Sequence, residues 1–311
     1  MVARIVEVAD DNRHLAMQRG FLVVRDTSSG GQELGRVPLD DIEAVIANAH
    51  GISYTNNLLV GLAERGVPFV LCASNHNAVG MLLPIDGNFE QSRRIEAQVD
   101  VSKPVRKRLW AEIVVSKIQQ QAEVLSRVGV KDAQLIALSR RVKSGDPDNV
   151  EAQAARHYWP NLMGSSFRRD QQDAGINAML NYGYTILRSA TARAVVAAGL
   201  HPSIGLHHSN DNNAMRLVDD LVEPFRPMID LRVWKLTQAG AVDVNSVTKR
   251  ALVEVLYADV ALPSGASPVL VCIQRLAVSL AQVFLNQTKK LELPTAGTRL
   301  SLEQGSLDFE Q

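Results

Sequence analysis

The sequence predicts an α+β protein, with a small N-terminal β-rich, sandwich-like domain followed by a larger all-α domain. Two observations carry this. Short apolar or alternating runs rich in Val, Ile, Leu and Phe fill the first part of the chain, and from Ser102 the hydrophobic period becomes helical. Strand-like and helix-like runs are also segregated along the chain. Such an order points to α+β or to two domains and away from an alternating parallel sheet.

In chain order, Ala3–Val8, His14–Arg25 and Val67–Ala73 read as strand-forming runs. Gly30-Gly31 marks a tight turn between strands. Gly51–Arg65 breaks the pattern and reads as one short helix, and Val79–Ile85 resumes as a strand. Asp86-Gly87-Asn88 carries strong turn chemistry. Residues 89–101 are polar without a period and read as a linker, so the β-rich domain is set at 1–88.

Ser102 can cap the next helix, and Pro104 is tolerated in its first turn. Ala111, Val115, Ile118, Ala122 and Leu125 then form one apolar stripe. Further helices are expected over Ala133–Lys143, Val150–Met163, Gln172–Ala198, Asn212–Leu236, Val244–Tyr257 and Val269–Gln287. Connections carry Gly, Pro and Asp. The helical domain is set at 102–293, and residues 294–311 read as a polar, disordered tail.

Composition narrows the function classes. The 311 residues suffice for one large domain or two ordinary ones. Arg4 and Glu7 interrupt the first apolar stretch, so no secretory leader is expected. No apolar run approaches the roughly 20 residues that span a bilayer. A soluble, cytoplasmic protein with no membrane partner is the expectation. The two cysteines, Cys72 and Cys272, lie in apolar surroundings outside any Cys-x-x-Cys pair and read as buried small hydrophobes. No Gly-rich phosphate loop is present, which removes the common nucleotide-binding reading.

Net charge is zero, yet its distribution is uneven. Residues 1–101 hold 8 Lys/Arg against 13 Asp/Glu, whereas residues 102–169 hold 13 against 6. A local basic zone can bind phosphates on a neutral chain, although a solvated helix surface has the same composition.

The densest polar cluster is Ile204-Gly-Leu-His-His-Ser-Asn-Asp-Asn-Asn, followed by Leu217-Val-Asp-Asp-Leu-Val-Glu-Pro-Phe-Arg-Pro. Asp220 and Glu223, three apart, share a helix face, as do Asp219 and Glu223. Like charges so placed cost stability unless a cation offsets them. Pro224 inside that helix costs about 3 kcal/mol against Ala. A local rule broken beside clustered acids suggests a functional site, and a kinked acidic surface is the alternative. Glu151 opens a helix, where an acid can also simply complement the helix dipole.

Four motifs in order carry a resemblance. They are Glu151 with Ala154, Ala155 and Tyr158; Asn177-x-x-Leu-Asn-Tyr-Gly-Tyr184; Ile204-Gly-Leu-His-His208; and Asp220-x-x-Glu-Pro-Phe-Arg-Pro227. Together they resemble the CRISPR-associated integrase-endonuclease, the catalytic subunit of the spacer-acquisition complex, with wording most like members from type II systems. The resemblance runs from the β-rich start to about residue 290. It implies a metal triad of Glu151, His208 and Glu223, with Asp220 matching a further acid near the site. His208 fits better than His207, because the family places one variable residue between Gly-Leu and the ligand His.

Two carboxylates and an imidazole suit Mn²⁺, and Mg²⁺ with water completing the shell. The reaction implied is transesterification. A 3′-hydroxyl on a short duplex fragment attacks a phosphodiester at the leader–repeat boundary of a CRISPR array, with no nucleotide cofactor. The implied partners are double-stranded DNA, a second copy of the chain meeting through the β-rich domain, and a small adaptation protein in a heterohexamer. Lys103, Arg106, Lys107, Arg108, Arg156, Arg168, Arg169, Asn181 and Arg226 are the DNA-contact candidates, with Arg140, Arg141 and Lys143 extending the basic zone. The rivals are a plain metal nuclease acting on branched DNA, a non-haem Fe(II) oxygenase, and a non-catalytic DNA scaffold.

Overall fold

A computed structural model describes residues 4–49, 51–73, 78–85, 88–263 and 265–295. The chain opens with β1 (Arg4–Val8), β2 (Arg13–Gln18), β3 (Phe21–Asp26), β4 (Gln32–Pro38), β5 (Ile42–Ala47) and β6 (Ile52–Tyr54). Helix α1 (Asn56–Ala63) and strands β7 (Phe69–Cys72) and β8 (Ala78–Leu82) complete the β-rich part. The run His14–Arg25, expected as one strand, is a hairpin. Arg19 and Gly20 both take positive φ, 50° and 81°, and turn β2 onto β3.

Two four-stranded sheets form, in the orders β1-β5-β7-β8 and β4-β3-β2-β6. Leu15 and Leu22 of the second sheet share an apolar cluster with Ile42, Val45 and Phe69 of the first and with Leu58 and Leu62 of α1. The first sheet runs parallel through β1, β5 and β7, and only β8 is antiparallel. Its central strand, β5, is buried at all six positions. Ile42 and Val45 face the N-terminal core, while Ile46, with Val70 and Cys72 of β7, joins the core of the helical part. A strand covered on both faces is apolar nearly throughout, and the one exception in β5, Glu43, is paired with Arg193 at 2.7 Å.

Residues 89–101, read as a linker without period, contain α2 (Gln91–Asp100). Two of its polar side chains, Arg94 and Gln98, turn inward to backbone groups, while Ser92, Arg93, Glu96 and Asp100 are exposed. The Gln98 side chain donates to the carbonyls of His201 and Ile204 and accepts from the His201 N–H, and Arg94 donates to the Ala198 carbonyl.

Then follow α3 (Lys103–Arg127), α4 (Ala133–Ser139), α5 (Val150–Met163) and α6 (Ile176–Ala197). Ser102 takes the cap position of α3 in extended backbone, without a capping bond from its side chain. Helix α6 starts four residues later than expected, after Gly175 at φ 66°. The expected single helix Asn212–Leu236 is three pieces: α7 (Arg216–Val222), a 3-10 turn (Glu223–Phe225) and α8 (Arg226–Gln238). Pro224 lacks the N–H that would continue α7, and Pro227 falls in the first turn of α8, where none is needed.

The chain continues through α9 (Ser246–Val253), a 3-10 turn (Glu254–Tyr257), the hairpin β9 (Asp259–Leu262) and β10 (Gly265–Pro268), and α10 (Val269–Phe284). Helix α6 is the buried axle, packing against α7, α8, α9 and α10. A Cβ at Gly183 would fall inside Ile229 of α8, so this glycine lets the two helices approach.

Asp86 and Gly87 of the expected turn, and residues 296–311 of the expected tail, lie outside the described residues. Among the described residues, no helix is long and apolar enough to cross a membrane.

Candidate active site

Glu151 stands in the first turn of α5. The N–H groups there already have partners: Asp146 accepts from Val150 and Glu151 at 2.8 and 3.0 Å, and Asn149 accepts from Ala152. The Glu151 carboxylate is therefore not needed as a cap. It reaches instead to Lys117 Nζ on α3, 2.5 Å from its Oε1.

Glu223 lies where α7 breaks, and it is nearly fully buried. Its Oε2 is also 2.5 Å from Lys117 Nζ, and its Oε1 is 3.1 Å from Arg226 Nε. Glu151 and Glu223, 72 residues apart in sequence, thus converge on one cation. Burial raises the Glu223 pKa, but Arg226 and Lys117 outweigh it and hold the carboxylate below its ordinary range. Burial likewise presses the Lys117 pKa down, while Glu223 and Glu151 together carry it above the ordinary value. Both groups are ionised at neutral pH.

His208 approaches from the loop before α7. Its Nδ1 is 2.6 Å from Asp220 Oδ1, which leaves Nε2 as the remaining ring nitrogen. The hydrogen bond to Asp220 raises the His208 pKa against the effect of burial, and the Glu223 charge adds to the rise. Asp220 is fully buried and also accepts the backbone N–H groups of Leu206, His207 and His208 at 2.6, 3.2 and 3.2 Å. It pins the loop and orients the imidazole. Gly205 makes this possible, since a Cβ there would lie 2.9 Å from Asp220 Oδ2 and 3.0 Å from the His208 carbonyl oxygen. His207 turns the other way and stacks on buried Trp110, with ring centroids 4.3 Å apart and planes 2° from parallel.

A cleft of about 320 Å³ opens beside His208, lined by Arg169, Arg188, Arg226 and Tyr184 among others. The guanidinium of Arg226 sits 4.7 Å from the Tyr184 ring centroid and that of Arg169 5.5 Å. The Tyr184 hydroxyl donates to Asp230 Oδ1 at 2.5 Å, and the Tyr158 hydroxyl donates to Oδ2 at 3.1 Å. Burial lifts the Asp230 pKa to about 7 despite these donors. Asn177 and Asn181 accept from Arg169 at 2.9 and 2.6 Å and bond the backbone of residues 168–171. Their shared face therefore holds the arginine-bearing loop. Asp219, paired with Arg188 at 2.7 Å and bonded by Asn213, is committed to packing α7 on α6.

The other basic candidates divide. Arg106 donates to the carbonyls of Gln98 and Val99, and Arg108 donates to that of Lys289. Lys103 and Lys107 are exposed on the first turns of α3, as is Arg156 on α5. Ten residues along one helix, Lys107 stands about 15 Å from Lys117. Arg168 is exposed and bonds two carbonyls of its own loop. Arg140 and Arg141 are exposed, and Lys143 pairs with Asp148.

The motifs gave no notice of Lys117. Its signal was present: Lys117, Gln120 and Gln121 form a polar line at helical spacing on α3, and all three are largely buried.

Two carboxylates and an imidazole of fixed orientation are a donor set that a hard divalent cation accepts. Among the described residues, no three acid, His or Cys side chains already surround a common metal position. Lys117 holds the point on which the carboxylates converge. The donor chemistry fits an ion, and the place between the two carboxylates is taken by the Lys117 ammonium.

A profile of the family described as "CRISPR associated protein Cas1" matches residues 6–258. The "CRISPR-associated endonuclease Cas1" of Neisseria meningitidis serogroup C (strain 8013) is 34% identical over 285 residues, 90% of this chain and 92% of the relative. The solved structure "Casposase bound to integration product" matches with TM-score 0.79 at 21% identity, covering 93% of this chain and 92% of that one. A chain of the "Cas6-RT-Cas1--Cas2 complex" matches with TM-score 0.75 at 17% identity, covering 96% of this chain and 36% of that one. The two structural likenesses speak to the fold, and the profile and the close relative, each spanning most of the sequence, show that this chain belongs to the CRISPR-associated Cas1 family.

Proposed function

We propose that the chain is a divalent-metal-dependent DNA integrase and endonuclease. It would insert short duplex fragments into a CRISPR array by attack of a 3′-hydroxyl on a phosphodiester. The observation that carries this reading is the convergence of Glu151 and Glu223 on one cation position beside an oriented His208, at the edge of an arginine-lined cleft.

Glu151, Glu223 and His208 Nε2 would hold Mg²⁺ or Mn²⁺. The bound ion would supply Lewis-acid polarisation of the scissile phosphate and charge stabilisation for the departing oxygen. Asp220 keeps the His208 ring in position and serves as its outer partner rather than as a ligand. Arg226 and Arg169, held over Tyr184, present positive charge where a phosphodiester would enter. Lys103, Lys107 and Arg156 are free to contact more distant phosphates. Asn181, Arg106 and Arg108 act through the backbone they hold. In the joining step one P–O bond forms to the attacking 3′-oxygen and one breaks. The attacking hydroxyl loses its proton and the leaving 3′-oxygen gains one, so no nucleotide cofactor is consumed. Water in place of the 3′-hydroxyl would give strand cutting from the same site.

Double-stranded DNA and a small partner protein follow from this reading, and the neighbours named for an integration product and for a Cas1–Cas2 complex support it. The two N-terminal sheets with their shared core read as a sandwich-like unit through which two copies pair, in a cytoplasmic heterohexamer with the partner.

Incubation of the protein with branched DNA and Mn²⁺ tests the reading. Rejoining of the strand at the branch is expected, and it should vanish in Glu223→Ala while DNA binding persists. Fragments without rejoined product would favour a nuclease on branched DNA. Unchanged rejoining by Glu223→Ala would sink the metal site.

A further inference from the structure

Lys117 has no role in the reading above, yet it occupies the centre of the site. Its Nζ is 2.5 Å from one oxygen of Glu151 and 2.5 Å from one of Glu223. An ion bound to the same two oxygens would sit about 2.1 Å from each. Two cations cannot share that place. The charge count argues likewise: Lys117 and Arg226 already balance Glu151 and Glu223, so a divalent ion beside them would leave two positive charges in excess.

The structure also offers the ammonium somewhere to go. Gln121, one helical turn along α3 from Lys117, is buried, and its Oε1 has no hydrogen-bond partner among the described residues. Lys117 and Gln121 line one cavity of about 170 Å³, together with Tyr184, Glu223, Arg226 and Asp230. An orphaned buried acceptor is destabilising until a donor satisfies it.

We propose that Lys117 is a resident cation. Its ammonium holds Glu151 and Glu223 together in the metal-free protein and withdraws towards Gln121 when a divalent ion enters. Resting on the metal-centre reading, this deepens it by making Lys117 a built-in competitor for the ion. The competition prevents a buried and a partly buried carboxylate from facing each other unpaired, at the cost of metal affinity.

The experiment compares wild type, Lys117→Met and Glu151→Gln in calorimetric titration with MnCl₂ and in thermal melting with and without Mn²⁺. Lys117→Met is expected to bind Mn²⁺ at least about tenfold more tightly than wild type. Its melting temperature should be lower without metal and should rise further with Mn²⁺ than that of wild type. Equal or weaker Mn²⁺ binding by Lys117→Met overturns the proposal, since a lysine that merely supports the fold would not restrain affinity. Should Lys117→Met fail to fold without metal, refolding in Mn²⁺ is expected to restore a cooperative melt, and failure to do so also overturns it. Absence of Mn²⁺ binding in both wild type and Lys117→Met overturns the metal reading itself. Binding by both with one affinity, lost in Glu151→Gln, overturns only the role of Lys117.

Discussion

Among the described residues, two largely buried clusters pair lysine with glutamate, and they are built oppositely. At the junction of the β-rich and helical parts, one carboxylate gathers several donors. Glu7 of β1 accepts from Asn48 at 2.7 Å and from the Tyr182 hydroxyl at 2.9 Å, and it pairs with Lys249 at 2.7 Å. At the candidate site one ammonium is stretched between two carboxylates, and Glu223 Oε2, though paired with Lys117, completes no well-directed hydrogen bond. The junction is saturated and fixes how the two parts meet. The site is incompletely paired, with Glu223 Oε2, Gln121 Oε1 and Arg226 Nε all lacking a well-directed hydrogen bond, which suits a place where a cation and a substrate arrive.

Several substitutions would break or sharpen this contrast. The largest effect is expected for Glu223→Ala. Strand transfer on branched DNA should fall by more than the roughly 10²–10³-fold seen on losing a single electrostatic stabiliser, with DNA affinity by gel shift retained. Lys249→Met should act on stability instead. Leaving Glu7 without its cationic partner should cost about 3–5 kcal/mol in denaturant unfolding, while Mn²⁺ affinity of the folded protein stays the same. Loss of Mn²⁺ affinity there would erase the distinction between the clusters.

Asp220→Asn falls between these. It keeps the size of the side chain but weakens the hold on His208, so calorimetric Mn²⁺ affinity should drop about 10–100-fold. An effect of pH is expected from Asp230, whose pKa stands at about 7 against an ordinary 3.8. A raised carboxylate pKa means that the folded protein holds the proton more tightly than the unfolded chain. Its contribution to stability is thus fully present below pH 3.8 and is lost as pH rises towards 7. That gap corresponds to roughly 4 kcal/mol across the window. Asp230→Asn should therefore gain on wild type in unfolding free energy between pH 5 and pH 8, and a constant difference would contradict this assignment. The smallest effect is expected for Arg156→Ala: slightly weaker DNA binding and a shallower salt dependence, with stability unchanged.

How much of this was legible in the sequence follows from which signals are local. Helices α3, α5 and α10 were readable because each carries its own stripe and punctuation. Strand β5 was missed because burial on both faces removes the alternation that marks a half-buried strand. Helix α2 was missed because Arg94 and Gln98, which form its inward face, serve backbone carbonyls about a hundred residues away. At the site, the break at Pro224 was visible as a broken rule. The preference for His208 over His207 came from motif spacing; in the fold His207 stacks on Trp110 and His208 bonds Asp220 through Nδ1. Lys117 escaped because a lysine inside an amphipathic helix ordinarily faces water, and only the tertiary fold brings Glu151 and Glu223 to it.

The central claim is that Glu151, His208 and Glu223 form one metal centre. Calorimetric titration of Mn²⁺ into wild type, Glu151→Gln, His208→Ala and Glu223→Gln tests it most directly. The account predicts one ion per chain in wild type and loss of that binding in each variant, with the melting temperature no longer responding to Mn²⁺. Retention of wild-type affinity in all three variants would contradict it.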